Sequence, residues 1–148
     1  MTRAFAEKYP CPVPPPGPWD TEPDHVDFEH AGLPCIIHRQ HMGAWCGYAA
    51  VPPGHPAHGK SYADIDGEIN VHGGLTYADK CQGEICHVPK PGEPDDVWWF
   101  GFDCLHCCDL APSSRYPTDD EIYRDQAYVT AETKRLAEQL AAMQGAAT

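Results

Sequence analysis

The chain has 148 residues, a length that suits one domain with a single core rather than two independent ones. Ten Lys and Arg residues against 22 Asp and Glu residues give a formal charge of −12, which repels phosphate backbones and anionic membrane surfaces and argues against nucleic acid as a partner. No stretch approaches the ~18 apolar residues of a membrane span, and residues 1–18 lack the apolar run of a signal peptide, so we expect a cytoplasmic protein.

Proline content shapes the first part of the chain. Sixteen prolines and a mean hydropathy of −0.49 are typical of a loop-rich protein with short elements. Residues 1–32 combine a proline run with acidic residues, and proline lacks the amide donor that helices and sheets need. We therefore predict an extended arm over residues 1–32 and a single globular domain over residues 33–148.

Two apolar runs then predict a hairpin. Residues 34–38 and 44–51 are rich in strand-forming side chains, and residues 40–43 between them are polar and end in a glycine. Three prolines within residues 52–56 exclude strand and helix there, so His55 is expected on a rigid loop.

Paired glycines predict a second hairpin. Residues 68–72 alternate polar and apolar side chains, Gly73 and Gly74 can supply the positive φ angles of a tight turn, and residues 75–77 return. Alternation assigns Ile69 and Val71 to the core and leaves His72 on the polar face, where the strand ends.

The aromatic run at residues 97–104 predicts a central strand. Alternation assigns its core face to Trp98, Phe100, Phe102 and Cys104. The opposite face carries Trp99, Gly101 and Asp103. An aromatic ring, a gap and a carboxylate in a row suit a ligand that approaches a sheet closely.

The C-terminal segment predicts a helix. Residues 118–121 read Thr-Asp-Asp-Glu, which matches a capping box with acidic residues in the first turn. An apolar stripe follows, formed by Ile122, Val129, Leu136, Leu140 and Met143. The stripe predicts a helix over about residues 119–143 lying across the sheet. The alternative is a coiled-coil homodimer, although Gln126 and Thr133 interrupt the stripe.

Together these elements predict an α+β fold: a small, mainly antiparallel sheet of hairpins, loop-rich, with the C-terminal helix packed on it. Eight cysteines in a reducing compartment favour thiols, metal ligands or a reactive cysteine over a disulfide framework. The spacing of Cys81, Cys86, Cys104 and Cys107 suits a structural zinc site, with ordinary thiols as the alternative. Cys104 is also a candidate nucleophile, but its core position opposes ionisation.

A second candidate site combines imidazoles and carboxylates at predicted strand ends, where site residues tend to gather. The predicted metal ligands or acid–base residues are His72, Asp103 and His106, with Asp109 nearby. A divalent ion held there, zinc in the first instance, would lower the pKa of a bound water for hydrolysis. The predicted substrate contacts are His55, Gly73, Gly74, Thr76, Tyr77 and Trp99. Structural hydrogen bonding is the alternative role for each histidine.

Four strings in this region are distinctive together: CGY at residues 46–48, VPPGHP at 51–56, VHGGLTY at 71–77 and WWFGFDCLH at 98–106. They resemble a family of small uncharacterised proteins found largely in bacteriophages and prophages, over about residues 33–110. The resemblance implies an accessory protein that acts in the host cytoplasm against a host defence. The family pattern has small residues in place of Cys107 and Cys108, which weakens the four-thiol zinc site and favours His72, Asp103 and His106.

Three functions are open on this sequence. The first is a small metal-assisted hydrolase of a nucleotide-like or other small substrate, with Tyr77 and Trp99 stacking on it. The second is a non-catalytic protein that uses the same pocket to sequester a small ligand or mask a host protein. The third is an acidic interaction protein stabilised by structural zinc.

Overall fold

The computed structural model describes residues 12–146 of the chain. Its centre is an antiparallel sheet of five strands: β1 (His25–His30), β2 (Leu33–Arg39), β3 (Trp45–Val51), β4 (Tyr77–Lys80) and β5 (Trp98–Asp103). The strands lie side by side in the order β1-β2-β3-β5-β4. A short helix, α1 (Tyr62–Ile65), interrupts the connection from β3 to β4, and a long helix, α2 (Gln126–Ala146), packs across β1, β2 and β3. The predicted α+β fold is confirmed.

The sheet begins earlier in the chain than the predicted arm allows. Residues 12–24 contain only a 3-10 turn at Pro18–Thr21, but β1 is a full edge strand paired with β2. Its Val26 and Phe28 pack against the core, while the intervening positions are polar. This alternation is what an edge strand requires, so the domain extends at least to residue 25. The remainder of the predicted arm, residues 1–11, lies outside the described residues.

The first predicted hairpin is confirmed as β2 and β3. Cys35 pairs with Ala49 and Arg39 with Trp45, and Gln40 donates its backbone N–H to the Ala44 carbonyl, 2.9 Å away, to close the turn. The proline-rich loop after β3 contains neither strand nor helix, as predicted.

The second predicted hairpin is wrong in its first half. Residues 69–71 do not pair with a strand. Side chains of α2 accept hydrogen bonds from the backbone of this segment instead: Asn70 N–H donates to Gln139, and the next amide but one, His72 N–H, donates to Glu132. The paired glycines do make a turn, with φ of 70° at Gly73 and 80° at Gly74. The chain then enters β4, which pairs with β5 instead.

The aromatic strand is confirmed in the sheet interior, between β3 and β4. Its Phe100, Phe102 and Cys104 lie in the main core under α2, with Trp98 packed against it. Trp99, on the opposite face, is fully buried in a second cluster with Ile36, Ala50, Ile85 and Val97. Residues 81–97 therefore cover the face that was expected to be open.

Helix α2 begins at Gln126, seven residues after the predicted start at Asp119. The Thr118 and Glu121 pair closes an isolated turn, and Ile122 then bridges Asp109 and stays half exposed. The true cap is Asp125, whose carboxylate accepts the Tyr128 N–H, while Glu22 accepts the Gln126 N–H at 2.6 Å. The helix start is thus set by side chains from another part of the fold.

The apolar stripe of α2 is used inside the domain rather than for a dimer. Val129, Leu136 and Leu140 are fully buried against the sheet. Thr133, which breaks the stripe in the sequence, is also buried and donates its hydroxyl to the Val129 carbonyl at 2.7 Å. Within residues 12–146, no helix combines the length and apolar character needed to cross a membrane.

Candidate functional site

The structure brings His72 into a polar cluster with Asp109 and Tyr128. His72 Nε2 lies 2.7 Å from Asp109 Oδ2, and His72 Nδ1 lies 2.7 Å from the Tyr128 hydroxyl. Three elements meet here: the turn at residues 71–74, the loop after β5 and the first turn of α2. Both ring nitrogens of His72 therefore have partners.

Asp109 is the centre of this cluster, and its side chain has no exposed surface. Besides His72, it accepts the His106 backbone N–H at 2.9 Å and Arg124 Nε at 3.0 Å. Burial alone would raise the pKa of Asp109, but the hydrogen bonds from His72, His106 and Arg124 outweigh burial and the net pKa is lowered. The carboxylate is therefore ionised, and both of its oxygens accept hydrogen bonds.

His106 and Asp103 form the exposed side of the same region. His106 Nε2 lies 3.3 Å from Asp103 Oδ1 without hydrogen-bond geometry, and Thr76 donates its hydroxyl to Asp103 Oδ2 at 3.0 Å. The rings of His72 and His106 are 5.8 Å apart, edge to face. A Cβ at Gly73 would collide with the His106 ring, so glycine is required there for the two loops to meet.

The predicted metal set of His72, Asp103 and His106 does not form a compact ligand group. Within the described part of the chain, the only group of three or more His, Cys, Asp or Glu residues offering ligand atoms within 4.8 Å of one another is a different one. Since His72 is bonded through both nitrogens, its arrangement favours hydrogen bonding over metal coordination.

The predicted substrate contacts are dispersed. His55 is buried: its Nδ1 accepts the Ala57 N–H and its Nε2 faces the Leu140 carbonyl at 2.7 Å, which ties the proline loop to α2. Trp99 is fully buried, and the expected gap at Gly101 is filled by the ring of Tyr48. Tyr77 packs edge-on against Tyr48 on that sheet face. Gly74, like Gly73, serves the turn, and Thr76 holds Asp103.

The alternative zinc site is also overturned. Cys81 and Cys86 form a disulfide with each other, so neither is a thiolate ligand. Cys104 is buried in the core, whereas Cys107 is exposed beside Cys108. The disulfide itself departs from the expectation of free thiols.

A second cluster, which we call the β1–β2 histidine site, consists of His25, His38 and Glu84. His25 and His38 are direct partners across the β1–β2 pair, on the sheet face away from α2. Their Nδ1 atoms face each other at 3.0 Å. The outer nitrogens each meet a carboxylate: His25 Nε2 lies 3.1 Å from Asp27 and His38 Nε2 lies 2.8 Å from Glu84.

A disulfide-closed turn supplies Glu84. Cys81 and Cys86 join the ends of the turn, and Gln82 and Ile85 exchange backbone hydrogen bonds across it at 3.1 and 2.9 Å. Ile85 is buried against Trp99 and Ile36, which anchors the turn on the sheet. The carboxylate of Glu84 is consequently held over β2 although 72% of its side chain is exposed.

The chemistry of the β1–β2 histidine site suits a divalent ion. One ligand atom from each of its three residues lies within 4.8 Å of the others. Two nitrogens bound tetrahedrally to zinc at about 2.05 Å lie roughly 3.3 Å apart, a few tenths of an ångström from the observed 3.0 Å between the two Nδ1 atoms. Glu84 meets Nε2 of His38, so its mostly exposed side chain turns toward the Nδ1 atoms to supply the third ligand. Burial lowers the pKa of His38 against the opposing effect of Glu84, which favours the neutral imidazole that binds metals.

A cavity of about 450 Å³ lies along β1 and β2, and it meets this site at one residue, Asp27, rather than at His25, His38 or Glu84. Its wall includes Asp27, the residue that contacts His25, and continues along Glu29 to the loop that follows the disulfide. Lys90 and His87 supply polar groups, and Val97 is part of the apolar lining. A cavity of this size and mixed lining is typical of small-molecule sites.

No family model, curated protein or solved structure matches the chain. The geometry of the two histidine clusters is therefore what bears on function.

Sequence reasoning missed the β1–β2 histidine site because the first strand was assigned to the arm. A signal was present: Ala31-Gly32 between alternating segments indicates a two-residue hairpin, and that turn places His25 opposite His38. Glu84 had no local signal, since only the folded disulfide turn brings it to His38. Arg124 and Tyr128 were missed because they belong to the misplaced helix start.

Proposed function

We propose that this protein binds a divalent metal ion, zinc in the first instance, through His25, His38 and Glu84 and uses it on a small molecule in the adjoining cavity. One observation carries the proposal: three ligand atoms lie within 4.8 Å of one another, and Asp27, which contacts His25, also lines the cavity. Two imidazoles and one carboxylate form a common catalytic zinc set, which leaves a coordination position for water or substrate.

The charge of the chain supports cation binding. A formal charge of −12 raises the local concentration of cations around the protein. Asp27 accepts the His25 Nε2–H and orients that ring, as carboxylates commonly do for metal-bound histidines. Bound zinc lowers the pKa of its water toward neutrality and thereby supplies a hydroxide nucleophile.

The cavity favours a small substrate that carries a negative group. Lys90 lines the cavity, and its Nζ makes a long ion pair with Glu29 Oε2, 3.8 Å away. A phosphate or carboxylate can replace that weak contact, while the apolar lining receives the rest of the molecule. In this proposal the predicted metal-assisted hydrolysis is retained and its site is moved to β1 and β2.

The proposed setting is that of a phage-associated accessory protein in the host cytoplasm. The motif strings at residues 46–56, 71–77 and 98–106 support it. The alternative function is non-catalytic: the protein binds the same small ligand and sequesters it without converting it.

Metal titration tests the proposal. Protein purified without chelator is analysed for metal and titrated with zinc by calorimetry. We expect one ion per chain, with affinity reduced more than ~100-fold in His38→Ala, because even carboxylates outside the ligand set contribute about 10–100-fold. His30→Ala is the matched control, since His30 lies on β1 but pairs with Glu138. Equal affinities in His38→Ala and His30→Ala would exclude the site.

Turnover separates hydrolase from binder. The probes are bis(p-nitrophenyl) phosphate and p-nitrophenyl acetate, assayed with zinc and with EDTA. Zinc-dependent cleavage lost in His38→Ala supports the hydrolase, whereas one bound ion without cleavage of either probe supports the binding function.

A second candidate is metal-free acid–base catalysis at His72. The observation that favours it is the buried Asp109, which holds one nitrogen of His72 and leaves the other to exchange a proton with the partly exposed Tyr128. His106 and Asp103, the other predicted catalytic residues, flank this pair. Cleavage of p-nitrophenyl acetate that persists in EDTA and is lost in Tyr128→Phe would identify this site.

A further inference from the structure

Two exposed cysteines occupy the centre of a tight turn. Cys107 and Cys108 are the middle residues of the turn from His106 to Asp109, which the Asp109 N–H closes on the His106 carbonyl at 3.0 Å. Their Sγ atoms are 3.6 Å apart, and both side chains are exposed. The two thiols are therefore presented to solvent as a pair.

The backbone at Cys108 is unusual for a cysteine. Its φ is 73°, the conformation that the third residue of a type II turn requires and that glycine normally provides. Among residues 12–146, Ala31 is the only other non-glycine residue with a positive φ. Because a side chain in this conformation is strained, turn geometry does not explain why a cysteine stands here.

The turn is held rigidly from both sides. The His106 N–H donates to the buried Asp109 carboxylate at 2.9 Å, and the Ile122 N–H donates to the Cys108 carbonyl at 2.7 Å. Asp109 is in turn fixed by Arg124. The thiol pair is consequently preorganised by the same network that engages His72.

We propose that Cys107 and Cys108 form a two-thiolate site for a thiophilic ion or a trivalent arsenical, separate from the β1–β2 histidine site. Soft cations select thiolate ligands over imidazole and carboxylate. Two metal–sulfur bonds of about 2.3 Å span the observed 3.6 Å at an S–metal–S angle of about 103°, close to tetrahedral. Little movement of the turn is needed to close the chelate.

The other described cysteines do not compete for such a ligand. Cys81 and Cys86 are joined in the disulfide. Cys35, Cys46 and Cys104 are buried; burial raises the pKa of Cys35 and of Cys46 to about 12 and also raises the pKa of Cys104. Cys11 lies outside the described residues and is replaced by serine in every protein of the test.

Phenylarsine oxide is the probe. Two thiols each form a bond to arsenic, the arsenic–oxygen bond breaks, and the oxygen leaves with both thiol protons as one water, so no oxidant or reductant is involved. The folded protein is mixed with one equivalent of probe and its intact mass is measured. We expect one adduct per chain that survives glutathione, a monothiol, but is removed by 2,3-dimercaptopropanol, because only a chelating dithiol matches the effective concentration of the pair.

Three variants make the test decisive. Cys107→Ser and Cys108→Ser should each reduce the glutathione-resistant adduct more than ~10-fold, because a single thiol loses the chelate. Cys108→Gly removes the same thiol but suits the turn, so it should lose the adduct while its Tm rises, which rules out misfolding as the cause. No adduct on the unsubstituted pair, or an equal adduct in the three variants, would overturn the site. Zinc titration of the His25 and His38 site is carried out in Cys107→Ser, so its result does not depend on the thiol pair.

Discussion

The two histidine clusters of this protein differ in how completely their polar groups are used. In the cluster around Asp109, the carboxylate is fully buried and accepts three hydrogen bonds, and both nitrogens of His72 have partners. In the β1–β2 histidine site, the side chains of His25 and His38 are 32% and 26% exposed, and Asp27 beside His25 lines a cavity. The first cluster connects loops to a helix; the second presents donors that a ligand can still use.

This contrast shows why proximity of titratable residues is a weak guide to function. Asp109 and His72 are close because burial requires each charged or polar group to find a partner. The facing Nδ1 atoms of His25 and His38 satisfy each other only if one ring donates a proton and the other accepts it. A cation bound by both nitrogens can take the place of that shared proton. Substitutions in the first cluster should therefore act on stability, and substitutions in the second should act on metal affinity.

The largest expected effect is on stability, from Asp109→Asn. The amide keeps the shape but removes the charge that Arg124 and His72 face. We expect a loss of about 2–4 kcal/mol in the free energy of unfolding, somewhat below the ~3–5 kcal/mol of fully buried pairs because Arg124 is partly exposed. Urea denaturation measures it.

Glu84→Gln is the matched control for that measurement. Its carboxylate is mostly exposed, so its unfolding free energy should change by less than about 0.5 kcal/mol, whereas its zinc affinity should fall. If Glu84→Gln destabilises the fold as much as Asp109→Asn, the distinction between the two clusters fails.

The pH dependence of stability gives a second prediction for Asp109. Its pKa in the folded protein is lowered from 3.8, so the ionised carboxylate stabilises the fold above that value and the contribution is lost as pH falls through the folded pKa. The difference in unfolding free energy between the unsubstituted protein and Asp109→Asn should narrow as pH falls from about 5 to below 3.8. A difference that grows on acidification would contradict the sign of this pKa shift.

A smaller effect is expected from opening the disulfide that carries Glu84. Replacing Cys81 and Cys86 by serine releases a six-residue loop, which costs up to about 2 kcal/mol by the chain-entropy relation. Zinc affinity should fall about 10-fold or more, because Glu84 is no longer held over His38. His30→Ala serves again as the control, and unchanged zinc affinity in the double variant would show that the disulfide does not position Glu84.

Much of the fold was predictable because its signals are local. The alternation in β5 and the apolar runs of β2 and β3 each specify a strand with one face in the core. The helix start was not predictable, since the Thr118 and Glu121 pair has the pattern of a cap but the first free N–H of the helix is bound by Glu22, about a hundred positions earlier. Residues 69–71 were read as a strand for the same reason: their alternation is real, but partners from α2 replace strand pairing.

The candidate site was predictable only in part. Proximity of His72, His106 and Asp109 follows from the sharp turns that end two segments, and the structure does bring these three together. That Asp109 and Tyr128 would together occupy both nitrogens of His72 was not predictable, because satisfaction of hydrogen bonds depends on every neighbour at once. Glu84 depends on a disulfide that composition argued against.

The smallest effect concerns the turn that sets the register of the β1–β2 histidine site. Ala31 and Gly32 join the strands with φ of 54° and 78°, the type I′ geometry in which asparagine is preferred to alanine at the first position. Ala31→Asn should raise the unfolding free energy by about 0.5–1 kcal/mol, and Ala31→Val should lower it, since a β-branched residue is strained at positive φ.

Zinc titration of the same two variants links the turn to the metal ligands. His25 and His38 are brought opposite each other only by the pairing that this turn starts, so Ala31→Asn should keep full affinity and Ala31→Val should weaken it. Because neither substitution touches a ligand, a change in affinity that follows stability in both directions identifies hairpin register as the feature that assembles the site. Full affinity in a clearly destabilised Ala31→Val protein would instead show that the two histidines meet independently of the turn.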